Sequence, residues 1–188
     1  MDARDAIRGR RAARLYRDVP LGRDLIQGVV EDAVWAPSGM NQQPWRFFVI
    51  EGRERLARYS AKAKAVLLEE DGLEPAMREM LEQPSFNIFY DAPTLVVVAA
   101  TQAGEMAVKD CCLAAGSLML SAFARGLGTC WVGFAEPWLN AEQTKRDLRV
   151  PASMRLVAPL IIGWPQGETA APPRRAPEIV FVEPVSRD

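Results

Sequence analysis

The sequence predicts one domain that combines α-helices with a small β-sheet. The chain has 188 residues, of which 49% are hydrophobic and 25% are charged, as is typical of a single globular domain. Helix-like and strand-like hydrophobic patterns follow one another without internal repeats or a sign of a second domain. One strand-like segment, 95–100, is apolar on both faces, which predicts a position at the centre of the sheet.

Composition excludes several classes of function. The formal net charge of −1 gives no bulk attraction for nucleic acid or an anionic membrane. The absence of histidine removes the usual Ser-His and Cys-His nucleophiles, and three cysteines without a CxxC pair predict no metal site and no disulfide framework. The N-terminus is charged where a signal peptide is apolar, and the longest uncharged helical stretch, 111–124, is shorter than the ~20 residues of a membrane span. A cytoplasmic location is therefore expected.

The first element is a short helix over residues 2–9, followed by a cluster of arginines. Five arginines occupy the ten positions 8–17. If residues 10–14 are extended, Arg10, Ala12 and Arg14 share one side, and two guanidinium groups converge there as a phosphate clamp. The alternative is a basic helix face in solvent.

A loop rich in carboxamides follows the next helix. Residues 21–36 have a helical pattern that ends at Ala36, because a residue before proline is disfavoured in the helical region. The loop that follows, 37–44, contains the neighbouring side chains Asn41, Gln42 and Gln43. Carboxamides donate and accept hydrogen bonds without charge, so they suit the polar edge of a planar heterocycle. The alternative is a polar turn that leads into the strand 46–50.

Two amphipathic helices, over 53–69 and 74–83, are expected at the periphery, where they would cover a substrate. Lys62 and Lys64 of the first could contact the phosphates of a nicotinamide cofactor, although solvated surface lysines are the simpler interpretation. The aromatic stretch 86–93 leads into the strand 94–100, and we interpret it as core packing rather than as a pocket.

The stretch 110–125 predicts a helix that is apolar on nearly every side and therefore buried all round. A chain of this length has little material to cover such a helix, so a subunit interface in a homodimer is expected. Gly126 is predicted to cap the helix. The remaining elements are a strand over 129–134, a short helix over 141–148 and a strand over 155–163. Gly133 in the first of these strands would let a flat ligand approach the backbone.

The last segment, after Gly163, contains five prolines, too many for a helix. It nevertheless carries the apolar run 179–182, which a disordered tail would lack. We interpret residues 165–188 as an arm that crosses to the partner subunit and adds one strand. Arg174 and Arg175, at the base of the arm, could join a phosphate site.

Several motifs along the chain carry a family resemblance. The segment Arg10-Arg11-Ala12-Ala13-Arg14 resembles a motif written RRSxR, and the stretch 36–45 resembles one written APSxxNxQPW. The stretches 87–93, 126–133 and 158–165 follow at matching separations. Each motif alone is weak evidence. Together, in this order over about residues 7–182, they give a specific resemblance to the FMN-dependent nitroreductases.

The resemblance implies an α+β fold, with a mixed, mainly antiparallel sheet wrapped by helices in an intertwined homodimer that binds two FMN molecules at its interface. It implies that Arg10 and Arg11 hold the FMN phosphate together with Arg174 or Arg175, and that Arg14 lies near the pyrimidine edge. The other subunit would bind the isoalloxazine through Pro37, Ser38, Gly39, Asn41 and Gln43. One ring face would lie against Trp131, Val132 and Gly133. The family serine is Ala12 here, so a hydroxyl contact to the phosphate is lost while the charge clamp is kept.

The implied activity is hydride transfer from NADH or NADPH through FMN to a small electron-poor acceptor, such as a nitroaromatic or a quinone. No side chain needs to act as a catalytic acid or base, because FMN carries the chemistry. Two alternatives stay open. One is divergent flavin chemistry, such as dehalogenation, flavin fragmentation or dehydrogenation, and the other is flavin binding with little turnover. The sequence does not indicate the acceptor, the nicotinamide preference or the oxygen reactivity.

Overall fold

A computed structural model describes residues 1–182, in which a four-stranded sheet has helices on both faces. The strands are β1 (Trp45–Glu51), β2 (Thr94–Ala100), β3 (Gly128–Trp131) and β4 (Arg155–Gly163). Their order is β1-β2-β4-β3, and all neighbouring pairs are antiparallel. The helices are α1 (Ala3–Gly9), α2 (Arg23–Ala33), α3 (Arg53–Leu68), α4 (Pro75–Glu82), α5 (Glu105–Ala124), α6 (Glu136–Asn140) and α7 (Glu142–Asp147). The predicted α+β fold with a mainly antiparallel sheet is confirmed.

Strand β2 lies at the centre of the sheet, as its double-sided apolar pattern predicts. All seven of its residues are buried. Its side chains alternate between two core clusters, one beneath α3, α4 and α6 and one beneath α2 and α5. The sheet therefore has a helical layer on each face, and the segments that the sequence singled out lie at its edges.

Helix α2 and strand β3 each end three residues before the predicted position. Helix α2 ends at Ala33 rather than Ala36, because the chain turns there and brings Ala36 back into the core. Strand β3 ends at Trp131 rather than at 134. Val132 N–H donates to the carbonyl of Pro159 in β4 at 2.9 Å, but a proline has no N–H to return the bond. The chain then forms a 3₁₀ turn over Gly133–Ala135, so Gly133 lies beyond the strand.

Helix α5 has 20 residues and begins before the predicted stretch 110–125. It is long and apolar enough to cross a membrane by length and composition alone, a test that core helices also pass. Eight of its side chains are buried against the sheet and α2. The other side is bare: Met106 and Leu113 are 63% and 49% exposed, so the expected burial on every side is not reached within one chain. Gly126 (φ +76°) ends the helix as predicted, with Leu127 N–H bonded to the carbonyl of Ala122.

The C-terminal segment is exposed and forms no strand within this chain up to residue 182. Ile179 and Phe181 are 66% and 83% exposed, so the predicted strand over 179–182 has no pairing partner here. Residues 183–188 of the predicted arm lie outside the described residues.

Asp32 joins the C-terminal ends of α2 and α5, which predicts a pH dependence of stability. Its carboxylate accepts hydrogen bonds from Ser121 Oγ, at 2.7 Å, and from Arg125, and these hold the pKa of the carboxyl below its ordinary value of 3.8. The stabilisation is therefore present above pH ~4 and is lost as the pH falls through the folded-state pKa. At pH 7 we expect Asp32→Asn to lower the free energy of unfolding, measured with urea. The expected decrease is under about 1 kcal/mol, because the carboxylate is half exposed.

This stability difference between wild type and Asp32→Asn should shrink as the pH is lowered towards 3. Asp71→Asn, at an exposed position, is the control and should change little. A difference that stays constant with pH would contradict the assignment of the stabilisation to the ionised carboxylate.

Candidate cofactor site

The arginine segment 10–14 lies extended beside β3. Ala12 forms a parallel bridge with Thr129, and the N–H of Ala13 donates to the carbonyl of Thr129 at 3.0 Å. The backbones approach closely because Gly128 has no side chain: a Cβ there would lie 2.6 Å from the Cβ of Ala13. The extended alternative, not the basic helix face, is therefore the correct interpretation of this segment.

Alternation along the extended segment separates the arginines. Because the segment is extended, Arg10, Ala12 and Arg14 share one side. Arg14 lines a pocket together with Cys130. Burial raises the pKa of the Cys130 thiol, while the charges of Arg14 and Arg10 act in the opposite direction. Arg11 turns the other way. Its Nη1 donates to the carbonyls of Arg8 and Arg10, at 2.6 and 2.9 Å, and its side chain lines a separate cavity beside Gly128.

Arg14 lines a pocket of about 270 Å³ at the end of β3. The other lining residues are Tyr90 and the five consecutive residues from Cys130 to Phe134. Gly133 is exposed, and a Cβ at this position would meet nothing within 4 Å, so the backbone forms an open wall. Trp131 is fixed by a 3.0 Å hydrogen bond from its Nε1 to Glu136. The fold thus brings together Arg14, Trp131, Val132 and Gly133 from the predicted set.

The carboxamide loop is a strained and internally bonded turn. Met40, Asn41 and Gln43 have φ of +50°, +55° and +47°, in the left-handed region that costs a non-glycine residue about 1–2 kcal/mol. Ser38 Oγ accepts from the N–H of Gln43, and the Gln43 amide donates to Asn41 Oδ1, both at 3.0 Å. Among the described residues, these bonds leave Asn41 Nδ2 and Gln43 Oε1 without protein partners. The loop therefore presents one donor and one acceptor in a fixed arrangement.

Asp110 holds this loop, although no motif in the sequence singles it out as a site residue. Its carboxylate, in the buried side of α5, accepts from the N–H of Gly39 at 3.2 and 3.3 Å. The N–H of Gly39 is therefore committed to the protein. The signal that could have revealed Asp110 is its position as an acid at the start of an otherwise apolar run.

The turn before β2 also contributes more than predicted. Ile88 and Phe89 are fully buried, as core packing requires, but Phe86 and Tyr90 are only partly buried and line cavities. Five of the six described non-glycine residues with positive φ lie in this turn or in the carboxamide loop. Such strain persists where the surrounding structure enforces it, and it often marks functional sites.

Lys64 is not a solvated surface lysine. Its Nζ donates to the carbonyls of Gln83 and Phe86, at 2.7 and 3.0 Å, and so ties α3 to the segment after α4. Lys62 is exposed, with its Nζ 4.0 Å from Asp147. The expectation of a solvated side chain thus fits Lys62 and is wrong for Lys64.

The carboxamide loop and the arginine segment lie at opposite edges of the sheet. The loop leads into β1, whereas the arginine segment lies beside β3, and three strand spacings separate these strands by roughly 14 Å. One chain therefore does not bring the residues 37–43 to the pocket of Arg14. Arg174 and Arg175 lie in the exposed C-terminal segment.

Comparisons with known proteins agree on one family. Residues 7–164 match the model of the nitroreductase family. A nitrobenzene nitroreductase from Ectopseudomonas oleovorans is 28% identical, over 85% of this chain and 85% of that protein. A 5,6-dimethylbenzimidazole synthase from Rhodospirillum rubrum is 32% identical, over 91% of this chain and 86% of that protein. A solved nitroreductase with bound FMN from Desulfitobacterium hafniense is 26% identical and superposes with a TM-score of 0.80, over 97% of this chain and all of that chain.

The family match includes, in one continuous stretch, the arginine segment, the carboxamide loop, the turn before β2 and the end of β3. The chain, with its sheet order and its helical layers, superposes on a solved nitroreductase along nearly its whole length. The chain belongs to the nitroreductase family.

Proposed function

We propose that this protein is an FMN-dependent oxidoreductase that takes a hydride from NADH or NADPH and passes it to a small electron-poor acceptor, such as a nitroaromatic or a quinone. The observation that carries the proposal is the pairing of Arg10 and Arg14 on one side of an extended segment, beside the open backbone wall of Val132 and Gly133. An anionic, flat and partly apolar cofactor matches both features.

The residues fit FMN from its phosphate to its ring. Arg10 would hold the phosphate, with Arg174 or Arg175 from the C-terminal segment, while Ala12 offers only its backbone. Arg11 would join them only by leaving its bonds to the carbonyls of Arg8 and Arg10 and turning to the other side of the segment. Trp131, Val132 and Gly133 would lie against one ring face. The ring's pyrimidine edge has two carbonyl acceptors and one N–H donor, which the Asn41 donor and the Gln43 acceptor complement. Pro37, Ser38 and Gly39 would support this edge by shaping the loop.

A homodimer would complete the site, because the loop and the arginine segment lie too far apart within one chain. The bare apolar side of α5 offers a surface for a second copy, with Met106 and Leu113 exposed.

Strand β1 is an edge strand, with cavities of about 250 and 390 Å³ on its two faces. We propose that the partner's arm adds its run 179–182 along this edge, with alternate side chains entering the two cavities.

When bound, FMN supplies the hydride chemistry, since its ring can accept and return two electrons. The protein's part is binding, orientation and electrostatics. Arg14, at the pyrimidine edge, would stabilise the negative charge that develops on two-electron reduction and so raise the reduction potential. No side chain needs to exchange a proton in the hydride transfer, which is consistent with a chain that lacks histidine.

Titration of the purified protein with FMN, followed by anaerobic addition of NADH or NADPH, tests this function. We expect one FMN per chain, quenched flavin fluorescence, bleaching of the flavin absorption by one or both nicotinamides, and reoxidation by a nitroaromatic or a quinone. Failure to take up FMN would overturn the proposal. Uptake without bleaching by either nicotinamide would favour flavin binding with little turnover.

A second candidate activity is the synthesis of 5,6-dimethylbenzimidazole, which the 32% identity to the Rhodospirillum rubrum enzyme favours. Incubating the reduced, FMN-loaded protein in air and analysing the products by mass spectrometry would distinguish the two. Formation of 5,6-dimethylbenzimidazole supports this second candidate, and intact FMN after many turnovers supports the oxidoreductase.

A further inference from the structure

The turn before β2 holds a tyrosine in an unfavourable backbone conformation. Tyr90 and Asp91 have φ of +51° and +52°. Asn87 enforces this geometry: its Nδ2 donates to Asp91 Oδ1 at 2.8 Å, and its Oδ1 and carbonyl accept the N–H groups of Phe89 and Tyr90, both at 2.9 Å. The left-handed region favours glycine or asparagine over a bulky side chain. The turn itself therefore does not explain why a tyrosine stands at position 90.

The ring of Tyr90 makes a specific contact with the candidate cofactor site. The guanidinium carbon of Arg14 lies 5.6 Å from the ring centroid, within the range of a cation–π interaction. Phe86 also contacts the ring, edge to face, at a centroid distance of 5.9 Å. No hydrogen bond from the Tyr90 hydroxyl occurs among the described residues, so the ring is the interacting part.

The pair of Arg14 and Tyr90 separates two neighbouring cavities. Both residues line the pocket of about 270 Å³ at the end of β3, and both line a second cavity of about 400 Å³ beside Phe86. A flexible arginine without the tyrosine ring could turn into either space. The guanidinium and the ring thus lie together on the wall that the two cavities share.

We propose that Tyr90 is a positioning residue for Arg14. The ring holds the guanidinium at the edge of the pocket assigned to the isoalloxazine, and this raises the preference of the site for reduced over oxidised flavin. The inference rests on the proposed function, because it concerns the potential of FMN in that pocket. This role accounts for the strained turn. The energetic cost of the left-handed backbone at Tyr90 is tolerated because the ring orients the guanidinium charge of Arg14 beside the flavin.

Three variants of the FMN-loaded protein test this role. Tyr90→Asn removes the ring and suits the left-handed backbone, Tyr90→Leu keeps apolar volume without the ring, and Tyr90→Phe keeps the ring as the matched control. The readouts are the flavin midpoint potential, the Kd for oxidised FMN and the melting temperature. We expect Tyr90→Asn and Tyr90→Leu to lower the preference for reduced flavin about three- to tenfold. For a two-electron couple this is a decrease in the midpoint potential of about 14–30 mV. Tyr90→Phe should stay within about twofold of the wild type.

A double-mutant cycle with Arg14→Met separates positioning from independent effects. If Tyr90 acts through Arg14, replacing Tyr90 in the Arg14→Met background causes no further change in potential. Additive shifts in the double variant, or an unchanged potential in folded Tyr90→Asn and Tyr90→Leu, would overturn the inference and leave the proposed function intact. A wild-type protein that binds no FMN would overturn both.

Discussion

Replacing Arg14 with methionine is expected to raise the Kd for FMN by about 10- to 100-fold, because a charge-assisted hydrogen bond contributes about 1.5–3 kcal/mol. Methionine keeps the length of the side chain and removes only the charge and the donors. Arg17→Met is the matched control: Arg17 is an exposed arginine three positions further on, at the end of the same cluster. Fluorescence titration with FMN measures both variants, and the control should bind within about twofold of the wild type.

The same variant tests whether two subunits share the site. Asn41→Leu should also weaken FMN binding, since it removes a donor to the pyrimidine edge. In a mixed dimer of one Arg14→Met chain and one Asn41→Leu chain, one site combines both changes and the other is intact if the loop and the arginine come from different subunits. We therefore expect one FMN of wild-type affinity per mixed dimer.

Mixed dimers can be isolated by co-expression with two different affinity tags. Absence of any wild-type site in them would mean that each chain binds FMN by itself, and the shared site would be refuted. Equal loss of binding in Arg17→Met and Arg14→Met would show that only the overall charge matters.

Replacing Gly128 with alanine is expected to lower the free energy of unfolding by about 1–3 kcal/mol, as overpacking of a well-filled site does. The added Cβ would lie 2.6 Å from the Cβ of Ala13 and 3.2 Å from that of Pro165. Both neighbours are short and rigid, so the backbone of the arginine segment has to move. We therefore also expect the folded variant to bind FMN more weakly, because Arg10 and Arg14 are displaced with that segment.

Urea unfolding and FMN titration measure the two effects separately. Gly22→Ala is the control, since a Cβ at this exposed helix start would meet nothing within 4 Å and its φ of −65° suits any residue. A Gly128→Ala protein as stable as the control would contradict the close packing of the segment against β3. A destabilised protein with unchanged FMN affinity would contradict only the link between that packing and the cofactor.

The sequence by itself determined the features that depend on neighbours along the chain. Continuous apolar character identified β2 and β4 with their observed bounds. Alternation of side chains predicted Arg10 and Arg14 on one side only for an extended segment, and the pairing of that segment with β3 decided between this conformation and a helix. The end of α5 at Gly126 follows from the positive φ that glycine adopts at low cost. These outcomes are predictable because the physical cause lies within a few residues of the effect.

The tertiary structure alone decided what depends on partners distant in sequence. Strand β3 ends where it meets the missing N–H of Pro159, and Lys64 is bonded to carbonyls about twenty residues away. The carboxamide loop and the arginine segment lie at opposite sheet edges because of the strand order, which no local pattern specifies. The contact of Tyr90 with Arg14 likewise arises only when the turn before β2 packs beside the segment at β3. The residue types at the site could thus be predicted, whereas their division between two edges of the sheet is a property of the folded chain.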